Sequence, residues 1–184
     1  MRKQTKLVAV LSTAALLAIG ASMTSFAATG WAEEDGTWVY YNRDGERATD
    51  QWKKSGNNWY WLNSDGEMAI DQLIEDGDNY YYVDINGVMA ANQWVAIDNE
   101  DAGQDNEPDH YWYYFQANGK ALKNGDNAKV ALKTINGKKY AFDDEGKMLY
   151  GWVSEDNAER VDDTDGDGFK EGTYYFGGED DGAM

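Results

Sequence analysis

The chain has 184 residues, of which 34 are acidic and 16 basic, giving a formal net charge of −18, and it contains no cysteine and one histidine. This balance argues against nucleic-acid binding, which needs clustered Lys and Arg. Without cysteine there are no disulfides or cysteine-ligated zinc sites, and the lone His110 excludes sites built from several histidines. The 8 Trp and 13 Tyr set the chain apart from disordered acidic sequences, which are poor in aromatic residues. The rings must therefore be buried or present a binding surface.

Residues 1–27 have the pattern of a secretory signal peptide. A basic start precedes an apolar run at 7–19, and Ser25 and Ala27 supply small residues before a cleavage site. The run is too short to span a bilayer comfortably. Removing its three positive charges would take the net charge from −18 to −21. The pattern predicts an exported, acidic mature chain of residues 28–184 without a transmembrane segment.

A fixed period organises the mature chain. Trp31, Trp52, Leu73 and Trp94 are each 21 residues apart, and a glycine recurs later in every unit. Such a period indicates a repeat architecture, and we count six units. Units four and six are lengthened by acidic insertions near 98–109 and 155–172. The repeated glycines are Gly45, Gly66, Gly87, Gly119, Gly146 and Gly182.

Each unit also carries an aromatic cluster bounded by turn residues. Runs of aromatic and β-branched residues such as 38–41 indicate strands, and Asp-Gly or Asn-Gly pairs such as 44–45 indicate turns. Outside the signal peptide, no window shows helical periodicity. A two-stranded hairpin is marginal in water, so the units must stack and share a core. The sequence predicts an all-β solenoid of stacked β-hairpins.

The residues Gly30-Trp31, followed by 36–41 and Gly45, and the later Gly151-Trp152 resemble the Gly-Trp…Gly-x-Trp-Tyr-Tyr…Gly-x-Met pattern of choline-binding, or cell-wall-binding, repeats. The resemblance covers residues 30–184. Related repeats occur in the glucan-binding domains of extracellular glucosyltransferases and in the receptor-binding parts of large clostridial toxins. The resemblance implies a hairpin solenoid with choline headgroups between successive hairpins, in cages of two Trp and one Tyr with a Met sometimes alongside.

Strand alternation then suggests which rings would face such a ligand. Counted back from the repeated glycine, positions −7 and −5 share one face of the strand, and the Trp that opens each unit joins them. Met68 and Met89, two residues after their glycines, are further wall candidates. The ligand-binding candidates are Trp31, Trp38, Tyr40, Trp52, Trp59, Trp61, Met68, Tyr80, Tyr82, Met89, Trp94, Trp112 and Tyr114.

Positions −6 and −4 alternate with the candidates and are expected to fill the hairpin core, although all of the rings together could also form core. These positions hold Val39 and Tyr41, Tyr60 and Leu62, Tyr81 and Val83, and Tyr113 and Phe115.

Several units depart from the pattern. Leu73 stands where Trp would open unit three, and Lys139 with Ala141 removes both ring positions from unit five. Arg47 replaces the Met of unit one, and the wider gap before Gly182 blurs the register of unit six. We expect intact cages mainly among units one to four. Incomplete cages also favour a sugar as the ligand, because stacked rings with additional polar groups bind sugars equally well.

The second insertion contains a partial calcium-loop motif. Residues 163–168 match the first six positions of such a loop, but position 12 is Tyr174 where a bidentate Glu belongs. Two readings stay open: a reduced Ca²⁺ loop, or a solvated charge run at a hairpin tip. His110 is expected to be a loop residue and no ligand. The candidate calcium ligands are Asp163, Asp165, Asp167 and Glu171.

No catalytic motif accompanies the repeats, so we expect no enzyme and no cofactor apart from Ca²⁺. The expected function is a secreted, non-catalytic module that binds choline-substituted teichoic acid or glycan in the cell wall of a Gram-positive bacterium. The alternatives are a structural adhesin or self-associating spacer, or a glucan- or carbohydrate-binding fragment of a longer surface protein. A homodimer through the C-terminal hairpin is a further expectation.

Overall fold

The computed structural model describes residues 29–104, 107–125, 129–161 and 172–184. Within these ranges the chain forms twelve short strands and no helix, and therefore no helix that is long and apolar enough to cross a membrane. The predicted signal peptide at 1–27 lies outside the described residues. The strands are β1 Gly30–Glu34, β2 Thr37–Tyr41, β3 Gln51–Ser55, β4 Asn58–Leu62, β5 Gln72–Asp76, β6 Asn79–Val83, β7 Gln93–Asp98, β8 His110–Phe115, β9 Lys133–Ile135, β10 Lys138–Tyr140, β11 Gly151–Ser154 and β12 Thr173–Phe176.

Consecutive strands pair into six separate antiparallel hairpins, which confirms the predicted all-β repeat fold. In hairpin one, Trp31 lies opposite Tyr40 and Glu33 opposite Trp38. Its two-residue turn places Asp35 and Gly36 at φ of 51° and 84°, the left-handed values that a tight hairpin turn requires. The Asp-Gly and Asn-Gly pairs singled out in the sequence form different turns, which come after the second strand of hairpins one to four.

Those later turns lead into a return segment that ties each repeat to the one before it. The backbone N–H two residues after the repeated glycine donates to the carbonyl of position −7 in the preceding hairpin, so that Met68 bonds Trp38 at 2.7 Å. The same bond recurs in four further places. The pairs are Met89 to Trp59 at 2.9 Å, Ala121 to Tyr80 at 2.8 Å, Met148 to Trp112 at 2.7 Å and Met184 to Lys139 at 2.9 Å.

The core runs along the stack as a series of small clusters. Position −4 supplies its centre, where Leu62, Val83 and Phe115 are fully buried, as predicted. Phe142 in unit five and Phe176 in unit six are equally buried. Because each hairpin has two faces, this burial requires a neighbouring hairpin on either side.

Two local expectations need correction. His110 is not a loop residue: it begins β8, because the first insertion lengthens the hairpin and pairs Asp98 with His110. In unit six the expected blurred register is not seen. Trp152 lies opposite Tyr175, just as the residue that opens each of hairpins one to four lies opposite position −5. The last turn is two residues longer than in unit one, closing from Gly177 to Ala183 where the first turn closes from Asn42 to Glu46.

Gly119→Ala tests the contact between one repeat's turn and the preceding Met. Gly119 has φ of +81°, and a Cβ there would lie 2.5 Å from Cε of Met89. We expect a loss of about 2–4 kcal/mol in the free energy of unfolding, from backbone strain plus overpacking. Gly36→Ala is the matched control, since Gly36 has φ of +84° with open space around it. Equal losses in chemical denaturation would contradict the packing argument.

Candidate aromatic ligand site

Each hairpin has a front face that carries the predicted ring positions. Directly opposed residues share a face of a sheet, as do residues two apart. Trp31, Tyr40 and Trp38 therefore lie together on the front face of hairpin one. The front faces of the later hairpins carry Trp52, Trp61 and Trp59, then Leu73, Tyr82 and Tyr80, then Trp94, Tyr114 and Trp112.

The back face of the next hairpin adds a ring from position −6, a position predicted to fill the hairpin core. Tyr60 lies 5.3 Å from Trp31 between ring centroids. Tyr81 lies 5.1 Å from Trp52, and Tyr140 lies 4.9 Å from Trp94. Position −6 does lie on the opposite face, as predicted, but that face packs against the preceding hairpin. We number the interfaces between successive hairpins by the hairpins that form them, so that the three contacts above lie at interfaces 1/2, 2/3 and 4/5, and interface 3/4 lies between the last two.

Interface 2/3 is the richest in tryptophan. Trp52 contacts Trp61 at 5.2 Å and Tyr81 at 5.1 Å, with ring planes inclined by 62° and 59°. Trp61 is nearly buried at 8% exposure and belongs to the core, whereas Trp59 on the same face is 40% exposed. The indole N–H of Trp52 donates to Asp76 at 3.1 Å, which fixes the ring orientation.

Interface 1/2 has similar rings but contains a cation of its own. Lys53 lies opposite Tyr60 on the back face of hairpin two, and its Nζ sits 4.7 Å above the ring centre of Tyr40. A hydrogen bond of 2.8 Å to Asn42 holds the ammonium there. The corresponding residue at interface 2/3 is Ile74, which packs in the core. A ligand cation would therefore compete with Lys53 at interface 1/2 and meet an apolar wall at interface 2/3.

Lysines also approach two rings at the −7 position. Lys54 lies opposite Trp59 on the same face, with its Nζ 5.7 Å from the ring centre. Lys123 lies 5.9 Å from the ring of Tyr80, and its Nζ donates to the carbonyl of Asp78 at 2.5 Å. At such distances and exposure these cation–ring contacts are weak, on the order of 0.5–1 kcal/mol.

Interface 3/4 lacks an opening Trp. Leu73 packs with Tyr80 and Tyr82 against a cluster that contains the buried Tyr113. Burial raises the pKa of Tyr82 far above its usual value, and its hydroxyl hydrogen bond to Asp71 acts in the same direction. These phenols stay neutral at physiological pH and shape an apolar interface.

Interface 4/5 joins hairpin four to a hairpin whose strands have only three residues each. Trp94 contacts Tyr114 at 5.2 Å and Tyr140 at 4.9 Å. The indole N–H of Trp112, nearer the hairpin tip, donates to Asp180 at 3.0 Å, and His110 pairs with the same carboxylate oxygen at 3.0 Å. Hydrogen bonds from Trp112 and His110 lower the pKa of Asp180.

Met68 and Met89 are placed under the next repeat's turn. Each is partly buried, and the turn glycine of the following unit, Gly87 or Gly119, leaves room for the thioether. Methionine is flexible enough to fill such a gap and still present sulfur toward neighbouring rings. Their predicted role as cage walls stays a prediction.

The predicted calcium ligands Asp163, Asp165, Asp167 and Glu171 lie outside the described residues. Among the residues that the structure does describe, no group of three or more acidic or histidine side chains is arranged to hold a metal ion.

The fold and its interfaces define a repeat protein of stacked hairpins with aromatic rings between the repeats. A family model for the choline-binding repeat matches residues 48–94, which span hairpins two and three. A second model, described as a putative cell wall binding repeat, matches residues 111–121. No curated protein sequence matches the chain.

The chain is also similar to solved structures from Streptococcus pneumoniae. CbpJ from strain TIGR4 is 26% identical over 85% of this chain and 42% of that one, with a TM-score of 0.52. Choline binding protein F, in a structure with a peptidoglycan analogue, is 22% identical over 85% and 41%, with a TM-score of 0.52. The choline binding domain of Spr1274 is 33% identical over 52% of this chain and 95% of that domain, with a TM-score of 0.38.

The chain belongs to the choline-binding, cell-wall-binding repeat family. It spans about two fifths of the length of CbpJ and of choline binding protein F.

Two tryptophans of interface 2/3 differ in their expected contribution to stability. Trp52→Ala removes two ring contacts and an indole hydrogen bond, and should cost about 3–5 kcal/mol in the free energy of unfolding. Trp59→Ala removes a ring that is 40% exposed and should cost about 1 kcal/mol or less. Chemical denaturation measures both values. A larger loss for Trp59→Ala would show that Trp59 is core and unsuited to be a binding ring.

Proposed function

We propose that this chain is a non-catalytic module that attaches to choline groups of a cell-wall polymer through the interfaces between its hairpins. The observation that carries the proposal is interface 2/3, where Trp52 of hairpin two lies 5.1 Å from Tyr81 of hairpin three and the exposed Trp59 stands on the same face as Trp52. This interface lies within residues 48–94, the segment that matches the choline-binding repeat.

The chemistry of choline suits such a site. A quaternary ammonium has no N–H to donate, so the negative faces of aromatic rings recognise it, at roughly 0.5–2 kcal/mol per ring. At interface 2/3 the apolar Ile74 takes the place that Lys53 holds at interface 1/2, so no lysine of the next hairpin occupies the space. We therefore assign the principal site to interface 2/3, with Trp52, Trp59 and Tyr81 as the ligand-facing rings.

Repetition supplies the affinity that one site lacks. Three ring contacts worth about 4 kcal/mol together correspond to a dissociation constant on the order of millimolar. A polymer that carries many cholines can engage several interfaces at once, and the effective concentration of the linked sites then strengthens attachment. The acidic surface favours a cationic ligand but repels the phosphates of a teichoic acid unless salt screens them.

The wider setting of the module follows from the same proposal. Export after removal of residues 1–27 and residence in a Gram-positive cell wall are consistent with the repeat family. Self-association through the last hairpin stays a prediction, favoured by Tyr175 at 55% exposure beside Trp152 on its front face. A structural adhesin or spacer would use that face, whereas the wall-binding role uses interface 2/3.

Trp59→Ala tests the choline proposal with little effect on the core. Loss of one ring should weaken choline binding at interface 2/3 about tenfold, and Trp59→Phe should restore part of it. Isothermal titration calorimetry of the mature chain with choline measures the change. Ile85→Ala, at a side chain that is 66% exposed in a turn, is the matched control and should bind normally. Unchanged binding by Trp59→Ala would contradict the assigned site.

A further inference from the structure

A cleft opens between hairpins four and five, at the repeat where the ring positions are lost. Its volume is about 460 Å³, within the range of small-molecule sites. Tyr114 from hairpin four lines it, together with apolar residues such as Leu132 of hairpin five. Leu132 precedes β9 and is 37% exposed, so it presents apolar surface to the solvent side of the cleft.

The remaining lining is rich in uncharged polar groups. Asn92, Gln116 and Asn136, which carry side-chain amides, and Thr134, which carries a hydroxyl, line the same cleft. An amide both donates and accepts hydrogen bonds, as does a hydroxyl, so this set matches a ligand that carries many hydroxyl groups. A quaternary ammonium offers none of these bonds.

Two of these residues, Asn92 and Asn136, have left-handed backbone, and the side chain of the third, Gln116, makes a hydrogen bond within the protein. Asn92 and Asn136 have φ of 53° and 50°, the left-handed conformation that Asn tolerates in tight turns. The Gln116 amide nitrogen donates to the carbonyl of Lys120 at 3.3 Å, which orients the side chain. Polar groups fixed before binding lose less conformational entropy when a ligand arrives.

The charge of the cleft differs from that of the chain as a whole. The protein carries a net charge of −18, yet none of the described residues that line the cleft is acidic, and Lys133 contributes a positive charge. That lysine disfavours a cationic ligand. The composition fits an uncharged ligand with one apolar face and several hydroxyls.

We propose that the cleft between hairpins four and five binds a neutral pyranose sugar, with its ring stacked on Tyr114 and its hydroxyls bonded to Asn92, Gln116 and Asn136. This site is separate from interface 2/3 and does not rest on choline binding there. The module would then contact two chemical groups of a wall polymer, the choline substituents and a glycan.

Nuclear magnetic resonance of the mature chain tests the proposal. The protein is saturated with choline and titrated separately with the N-acetylglucosamine tetramer and with isomaltotetraose, which distinguish an acetamido sugar from a plain glucan. We expect at least one sugar to shift the side-chain amide signals of Asn92, Gln116 and Asn136, with a dissociation constant on the order of millimolar. Shifts that are absent for both sugars, or that choline abolishes, would overturn the assignment.

The double variant Asn136→Gly with Thr134→Val removes two polar groups without straining the turn. Glycine adopts the φ of 50° freely, and valine has the shape of threonine. Sugar binding should weaken about fivefold or more, while choline affinity stays the same. Asp35→Gly, at the matching turn position of hairpin one with φ of 51°, is the control and should leave sugar binding unchanged. Equal sugar affinity in the double variant and the wild type would refute the site.

Discussion

The stacking of one hairpin on the next determines the rest of this structure. A pair of five-residue strands has two faces and cannot bury either alone. Here a backbone N–H from each return segment bonds the carbonyl of position −7 in the hairpin before, as Met68 does to Trp38. That bond fixes the spacing at which the front face of one hairpin meets the back face of the next. The aromatic rings meet between repeats for the same reason.

This constraint explains which parts of the fold could be predicted from the sequence. The 21-residue period and the aromatic clusters indicate hairpins, and the stability of hairpins requires them to stack. The buried position −4, represented by Leu62 and Phe115, also follows from strand alternation. The prediction for His110 was wrong because the insertion lengthens the hairpin, and sequence spacing alone does not show where added residues continue the pairing.

The candidate site was predictable only in part, since alternation describes a single hairpin. Strand alternation groups Trp52 with Trp59 and Trp61 and assigns Tyr81 to the opposite face of its own hairpin. It does not show which residues of a neighbouring hairpin that face contacts. In the stack that opposite face covers the preceding hairpin, so Tyr81 meets Trp52. One signal could have shown this: position −6 is Tyr in units two to five, and a buried tyrosine hydroxyl needs a hydrogen-bond partner that an apolar core does not supply. The amides around Tyr114 carry no motif, because they come from three different loops and strands.

The interfaces differ in chemistry although the repeats look alike in sequence. Lys53 and Lys133 occupy equivalent back-face positions in hairpins two and five, where hairpins three and four have Ile74 and Val95. This position decides whether the following hairpin brings a cation to the interface, although Lys54 of hairpin two itself lies 5.7 Å from Trp59 at interface 2/3. The same stack can therefore offer a cation-binding cage at one interface and a polar cleft at another.

A crystal structure of the mature chain grown with choline tests the central claim most directly. The account predicts a trimethylammonium group at interface 2/3, against the faces of Trp52, Trp59 and Tyr81, and a lower occupancy at interface 1/2, where Lys53 lies over Tyr40. Choline bound elsewhere on the surface, with interface 2/3 closed and empty, would contradict it.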